Sequence, residues 1–377
     1  MFLTAVGVWF FLPLLPIFLG RKGGSAALVG EVFAAGLLAN ALIRYPAGWA
    51  TDRFGSRPVL ILSLLTYAGL FLAYLLPLPP AAFIVVRFLH SAAGGAYWPA
   101  ANGLLADSTS SQERGRAFGT MQAMNTAGML LGPGIGGFIA LTNLNTVFVI
   151  SAGMSVLATI AISTLPNAHV HADGEIPKGA LHIARVMLPL LLLGAGTSYM
   201  VGTYDTIWPL YMTYRGGNTF AVGISFAVFA IPVTFLSPQM GALGDRLGHI
   251  RFVVVALLGT AIFAAVYPFV SSVPWLIGLG FIEGIFTLGG TPSLLAEVSR
   301  SAPKGQQGRT QGVFQTVQTG VQIVGALAGG AVFGLNPGYS FFAIAFVCAL
   351  SALAALRGSR LKGAAIRKRP LPVSPSR

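Results

Sequence analysis

The chain carries one charged loop twice, each copy set between two long apolar runs. Residues 48–57 read GWATDRFGSR and residues 241–251 read GALGDRLGHIR. Gly48, Asp52, Arg53 and Gly55 recur as Gly241, Asp245, Arg246 and Gly248, each 193 positions later in a chain of 377. A period of that length means a duplication in which each half is a structural unit of its own. The flanking runs are about 20 residues long, the length an α-helix needs to cross ~30 Å of hydrocarbon. They are apolar throughout, without period-two alternation, so helices rather than barrel strands satisfy the backbone in lipid. Hydrophobic residues make up 55% of the chain and charged residues 9%, more apolar surface than a soluble protein of this size can enclose.

Hydropathy places twelve spans at roughly 2–19, 27–48, 58–77, 81–105, 117–141, 145–165, 187–212, 219–243, 252–270, 274–297, 310–334 and 339–356. The net charge of +13 would suggest nucleic acid in a soluble chain, but its placement points elsewhere. With both repeated loops on one side, only Arg21, Lys22 and Arg215 of the 23 basic residues lie outside, and Arg44 and Arg87 lie within spans. The other 18 share the side of the loops, seven of them after residue 356. That asymmetry predicts cytoplasmic loops, linker and termini in a multi-pass cell-membrane protein, with anionic lipid rather than nucleic acid as the partner of the basic tail. The expected domains are an N-terminal six-helix bundle (1–165), a polar cytoplasmic linker (166–186), a C-terminal six-helix bundle (187–357) and a basic tail (358–377).

Enzyme signatures are absent. No GxxxxGK[ST] loop is present to hold ATP, and no HExxH or metal-spaced His/Cys set occurs, so neither an enzyme nor a cofactor is expected. His169, His171 and His182 in the linker read as part of a solvated loop, and no metal site is expected. Cys348 is the single cysteine, which rules out an intrachain disulfide. The first apolar run has no basic segment before it and reads as a retained helix rather than a signal peptide.

The repeat is wider than the loop. FLPLLPIFLGRKGGSAALVG (11–30) aligns without a gap to YDTIWPLYMTYRGGNTFAVG (204–223), and GRAFGTMQ (115–122) to GRTQGVFQ (308–315). Six spans per half is an even number, so the halves are parallel repeats about an axis along the membrane normal. Twelve spans, the 6+6 repeat and G-x-x-x-D-R-x-G-x-R after the second span resemble the major facilitator superfamily over essentially the whole chain. In the fourth span, RFLHSAAGGA is similar to that family's Arg-x-x-Gln-Gly pattern, with His90 and Ser91 where Gln and Gly are usual. In the fifth, GMLLGPGIGG, with Gly128, Gly132, Pro133, Gly136 and Gly137, resembles the pattern of the twelve-helix drug/proton antiporters; its counterpart VQIVGALAGG (321–330) lacks the proline.

The resemblance implies a cytoplasmic latch between bundles. Asp52 would cap the eleventh helix near Gly308–Gly312, Arg57 would reach Asp107, and Asp245, Arg251 and Glu297 would match them in the second half, beside Arg53, Arg246, Gly55 and Gly241. Gly48 lets helices approach closely. The plain alternative is a solvated turn that only sets topology. Likewise Gly128, Gly132 and Gly136 share one helix face, which a packing role explains by itself.

Charges inside spans must be paired, neutralised or wet. Glu31 reads as a rim residue, while Arg87, His90, Asp205 and Glu283 lie deeper. At the 193 offset His90 maps onto Glu283. The resemblance puts helices one, four, seven and ten around a central cavity, and these residues with them. Desolvation favours a carboxyl's neutral form and a nearby cation its charged form; that competition suits a proton-for-substrate exchanger, with Glu283 or Asp205 as proton carrier. A static ion pair with Arg87 is the alternative, and His90 reads equally as a helix contact. Tyr97 and Trp98 are expected in the substrate cavity, with Tyr204 and the amide face Gln311, Gln315, Gln318 and Gln322, of which Gln315 and Gln318 are the cavity candidates. Interhelical bonding is the alternative for the glutamines, and an interfacial aromatic belt is expected for Trp208 and Tyr211.

The resulting expectation is a monomeric secondary transporter that works by alternating access on the proton gradient, without ATP, and exports drug-like or amphipathic organic compounds. A proton symporter for a small organic acid or sugar, and a lipid transporter on the same scaffold, are the alternatives.

Overall fold

The computed structural model describes residues 2–109, 113–165, 187–301 and 307–367, without side chains at 106–107, 114–115, 233, 237–238, 241, 288–289, 291–292, 307–309 and 357–367. The linker 166–186 with its histidines, and residues 368–377 of the tail, fall outside the described residues. Among the described residues, twelve helices follow one another where the apolar runs place them. In the first half they are α1 (Phe2–Arg21), α2 (Ala26–Phe54), α3 (Ser56–Ala73), α4 (Ala82–Asp107), α5 (Arg114–Ile139) and α6 (Leu144–Ser163). In the second they are α7 (Leu188–Tyr214), α8 (Thr219–Leu247), α9 (His249–Val266), α10 (Val273–Arg300), α11 (Gln307–Leu335) and α12 (Tyr339–Arg367). A 3-10 turn, Leu12–Leu14, interrupts α1, where Pro13 and Pro16 remove two backbone donors.

Eight of these helices are individually long and apolar enough to cross a membrane. The other four are α4, α5, α7 and α10. Of these, α4 bears Arg87 and His90, α7 bears Asp205 and α5 bears the glycine run, and their weaker apolarity is what helices lining an interior, rather than facing lipid, require. The fourth, α10, which bears Glu283, is apolar over its described stretch Val273–Thr287.

The turns repeat with the sequence. The four glycines with positive φ form two pairs 193 apart: Gly23 (85°) with Gly216 (86°), and Gly55 (89°) with Gly248 (87°). A side chain at these turns would be strained, because that region suits only a residue without Cβ. After the first pair, Ser25 Oγ accepts from the Leu28 amide at 3.2 Å and Asn218 Oδ1 from the Ala221 amide at 2.8 Å, so α2 and α8 start with equivalent caps. The Gly23/Gly216 turns mark one end of the molecule, here the hairpin end, and the Gly55/Gly248 loops mark the other, the loop end.

Helices α1–α6 pack into one bundle and α7–α12 into a second, and the two meet along α2 with α11 and α5 with α8. Glycine makes both kinds of contact. On α5, Gly128, Gly132 and Gly136 face Ala5, Trp9 and Phe10 of α1, and on α11, Gly325 and Gly329 face Tyr199 and Thr203 of α7. The bundles touch where Gly30 meets Ala326 and Gly330, and where Gly223 meets Pro133 and Gly137. These two seams are related by the repeat, and Thr219 Oγ1 donates to the Gly137 carbonyl at 3.1 Å across one of them. Both lie toward the hairpin end. At the loop end, no atom of another element among the described residues lies within 4 Å of where a Cβ on Gly48 or Gly312 would sit. The described residues thus show no close approach at Gly48 in this conformation, which is closed at the hairpin end.

Candidate functional site: an acidic aromatic chamber between the bundles

The deepest polar chemistry sits on the inner side of the C-terminal bundle. Glu283, on α10, is only 2% exposed and lies between two phenols. Tyr204 Oη donates to Glu283 Oε1 at 2.9 Å and Tyr267 Oη to Glu283 Oε2 at 2.6 Å. Hydrogen bonds to an ionised acceptor are short and about twice as strong as neutral ones. Tyr267 stands in the 3-10 turn Tyr267–Phe269 after α9. Its carbonyl accepts from Tyr211 Oη at 2.8 Å, and Tyr211 Oη in turn accepts from Arg215 Nε at 2.9 Å. A brace thus runs from the hairpin-end Arg215 to the phenol that holds Glu283.

Glu283, Tyr204 and Tyr267 form one wall of a chamber of about 190 Å³. Asp205 and Trp208 of α7 and Phe226 and Phe229 of α8 continue it, and Trp9, Met129 and Pro133 close it from the N-terminal bundle. Aromatic faces present their negative quadrupole to a cation, and the described lining holds two acids and no base. Arg87 of the opposite bundle is close enough to Asp205 for their charges to interact. Its guanidinium, however, rests on the Phe11 and Phe33 rings, 5.6 Å from each centroid, and does not line the chamber.

The repeat explains why the chamber lies on one side. The rings around Glu283, Tyr204, Tyr267 and Phe341, correspond at 193 positions to Phe11, Tyr74 and Phe148. Those three rings cluster in the N-terminal bundle with centroids 5.2 to 6.0 Å apart, and His90, the counterpart of Glu283, sits beside them. There the box is filled. Tyr67 and Phe71 pack on the imidazole at 4.5 and 4.6 Å, where the second half has the smaller Thr260 and Ala264. Gly280 stands where the first half has Arg87. Of these three small residues, Gly280 lines the open chamber, where the first half has the bulk of Arg87.

Several expected residues fall elsewhere. His90 is 1% exposed, with neither ring nitrogen hydrogen-bonded, and does not reach the chamber. Glu31 is exposed on the first turns of α2. Gln318 is committed to its own bundle: Ser198 Oγ donates to its Oε1 at 2.8 Å, and its Nε2 donates to the Leu191 carbonyl at 3.3 Å. Gln315 is exposed and lines neither cavity described here. Trp208 and Tyr211 are buried rather than in an interfacial belt; Trp208 Nε1 donates to Ser225 Oγ at 2.9 Å. Burial of these rings follows from the inward turn of α7, which periodicity alone does not reveal. Tyr97 and Trp98 line a second cavity with Trp9. Tyr267, Trp9 and Phe229 carry no charge or motif that singles them out in the sequence; Tyr267 is findable, because it matches Tyr74 at the repeat offset.

At the loop end, Asp245, Arg57 and Arg53 have partners inside their own bundles. Asp245 lies 3.2 Å from His249 Nε2 and 3.5 Å from Arg300 Nη2, with Arg251 and Glu297 around the same crevice. Arg57 donates to the Ser163 carbonyl, and Arg53 lies 5.3 Å over the Trp49 ring. No hydrogen bond or ion pair joins Asp52 to α11 among the described residues; the side chains of 307–309, at the start of the stretch where its cap is expected, lie outside them. The Asp107 side chain and the surroundings of Gly241, which lies in α8, are outside what is described, and Arg246 is exposed. No group of His, Cys, Asp and Glu among the described residues could hold a metal.

Two like bundles closed at one end over a chamber at their interface have the architecture of a secondary transporter built from parallel repeats. The sequence profile of the Major Facilitator Superfamily matches residues 1–186 and 190–375, and the chain belongs to that superfamily. It is a multi-pass secondary transporter of small molecules and not an enzyme. Among curated relatives, Multidrug resistance protein 2 of Bacillus subtilis is 26% identical, with 92% of this chain and 90% of that protein covered. The multi-drug resistance efflux pump PmrA of Streptococcus pneumoniae is 30% identical, with 93% and 92% covered. Among solved structures, the nucleoside transporter NupG superposes with a TM-score of 0.78 at 15% identity, covering 98% of this chain and 97% of that one. A bacterial homolog of the human lysosomal transporter Spinster, in an inward-facing and unoccupied conformation, does so with a TM-score of 0.78 at 15% identity, with 99% and 96% covered.

Proposed function

We propose that the protein is a proton-coupled exporter that exchanges protons for amphipathic organic cations at the Glu283 chamber, working as a monomer in the cell membrane with its loop end cytoplasmic. The observation that carries this reading is the pairing of Glu283 and Asp205 on one aromatic wall without a base in the described lining. A proton and an organic cation then compete for the same negative charge. Occupancy by either displaces the other, and this is the condition for exchange rather than co-transport. Trp208, Tyr204 and Phe229 supply apolar area and π-faces for the cargo. The multidrug-resistance and efflux names of the relatives support the export of drug-like compounds. A symporter for an organic acid would need a cation lining the chamber; Arg87, although near enough to Asp205 for their charges to interact, rests on Phe11 and Phe33 and is not among the lining residues.

Purified protein in proteoliposomes, with an imposed pH gradient and a pH-sensitive dye inside, tests this. Lipophilic cations should collapse the gradient with protons moving opposite to cargo, and Glu283→Gln should abolish that response while the protein stays folded. Proton movement in the same direction as an acid or sugar, with no response to cations, would replace the reading.

A further inference from the structure

The duplicated halves open different rooms. In the C-terminal bundle the room around Glu283 is open, and its twin around His90 is filled. Deeper toward the loop end the asymmetry reverses. A second chamber of about 220 Å³ lies in the N-terminal bundle, lined by Trp9, Tyr67, Tyr97, Trp98, Thr4 and Asn125. Its twin in the other bundle, around Thr197, Thr260, Thr287 and Gly290, holds only about 10 Å³. One substitution between the halves bears on the difference: Asn125 stands where the second half has the longer Gln318. Gly94 stands where the second half has Thr287, and the room it leaves is taken by the Tyr67 phenol. Gln318 is used up by Ser198 and Leu191. Asn125 shares its chamber with Ala5, which stands at the position of Ser198, and its amide has no hydrogen-bond partner among the described residues.

We propose that this N-terminal chamber is a second binding site, for an uncharged planar aromatic ligand that carries a carbonyl, amide or hydroxyl group. The proposal concerns a part of the cavity that the exchange of cations at Glu283 does not use, and it rests on the transporter reading for its access from the loop end. Four aromatic rings offer stacking faces. None of the described lining residues is charged, so an ion would lose its hydration there without a counter-charge. An unspent amide presents donor and acceptor together, which selects a ligand with one polar group at its edge. An apolar cavity of roughly 150 Å³ accommodates benzene; this one is larger and suits one or two fused rings. Trp9 lines both chambers, so they adjoin across one indole. A cation and a neutral ring can occupy them together, as two molecules or as two ends of one.

Equilibrium binding of tritiated naphthalene-2-carboxamide and of tritiated phenyltrimethylammonium to the full-length protein in nanodiscs separates the sites. The carboxamide should bind in the presence of saturating phenyltrimethylammonium. Its affinity should fall at least tenfold in Asn125→Leu, which keeps the side-chain shape, and in Trp98→Ala, with cation binding changed less than twofold. Glu283→Gln should do the reverse. Competitive displacement of the carboxamide by the cation, or carboxamide affinity unchanged in both variants, would overturn the second site. No carboxamide binding alongside normal cation binding would also overturn it and leave the exporter reading intact. Carboxamide binding with no cation binding would keep the second site and remove the cation exporter.

Discussion

Glu283 and His90 occupy equivalent positions in the two halves, yet their surroundings assign them opposite chemistry. Glu283 receives a phenol on each oxygen and faces open space. His90 is enclosed by rings, and neither of its nitrogens has a hydrogen-bond partner among the described residues. A buried polar group without partners can be replaced by an apolar group of similar size at little cost or with a gain. His90→Leu is therefore expected to leave pH-driven exchange intact and thermal stability unchanged or raised, by up to about 1 kcal/mol. Loss of coupling in that variant, measured by the dye assay, would return His90 to the proton path. Tyr267→Phe takes away the shorter of the two bonds to Glu283. A hydrogen bond to a charged group contributes about 1.5–3 kcal/mol, so exchange should fall by roughly tenfold or more while carboxamide binding to the neighbouring chamber stays as in the wild type. Unchanged exchange would show that Tyr204 alone suffices to hold the carboxyl.

At the scale of elements, glycine decides which helices touch. Gly128, Gly132 and Gly136 seat α1 on α5, whereas Gly137, one position on, turns to α8. The motif that resembles an antiporter signature thus builds a joint inside one bundle and a seam between the two. Without a hydrophobic driving force between helices in lipid, such close contacts carry much of the association. A Cβ on Gly223 would collide with the Pro133 carbonyl, and one on Gly30 with the Ala326 carbonyl. Backbone cannot move aside as a side-chain tip can. Gly223→Ala should therefore weaken the hairpin-end seam and shift the population toward the conformation closed at the loop end. Spin labels on the loop ends of α2 and α11 would report this as a shortened distance; an unaltered distribution would mean that the seam does not hold the state.

For the molecule as a whole, the two copies of the charged loop are not equivalent. Arg300 of α10 stands where the first half has Asp107 of α4. Asp245 consequently has an arginine in its own bundle, whereas the first half has an acid at that position. The Asp245–Arg300 pair is largely exposed, so it contributes on the order of 0–1 kcal/mol. Asp52→Asn should alter the balance between the two conformations without changing cargo preference, and Asp245→Asn should alter neither. The same spin-label pair, together with a cargo panel, checks both; a changed preference in Asp52→Asn would argue against a latch at that loop.

Much of this was legible in the chain before it folded. Long apolar runs in lipid have no alternative to the helix, because every backbone group must be satisfied within the segment. A constant offset of 193 then dictates two like bundles, and Gly23, Gly55, Gly216 and Gly248 mark their turns because no other residue takes those backbone angles without strain. Glu283 and Asp205 could be singled out because charge in a span is costly. Which rooms are open could not be read, since volume is a property of neighbours from several helices. Gly280 opposite Tyr204, or Asn125 beside Ala5, gains meaning only once α1, α4, α5, α7 and α10 are brought together. Tertiary structure also withdrew Gln318 and His90 from the cavity and brought Trp208 and Tyr267 into it. Helical periodicity states which residues share a face, whereas packing decides whether that face meets lipid, a neighbouring helix or the chamber.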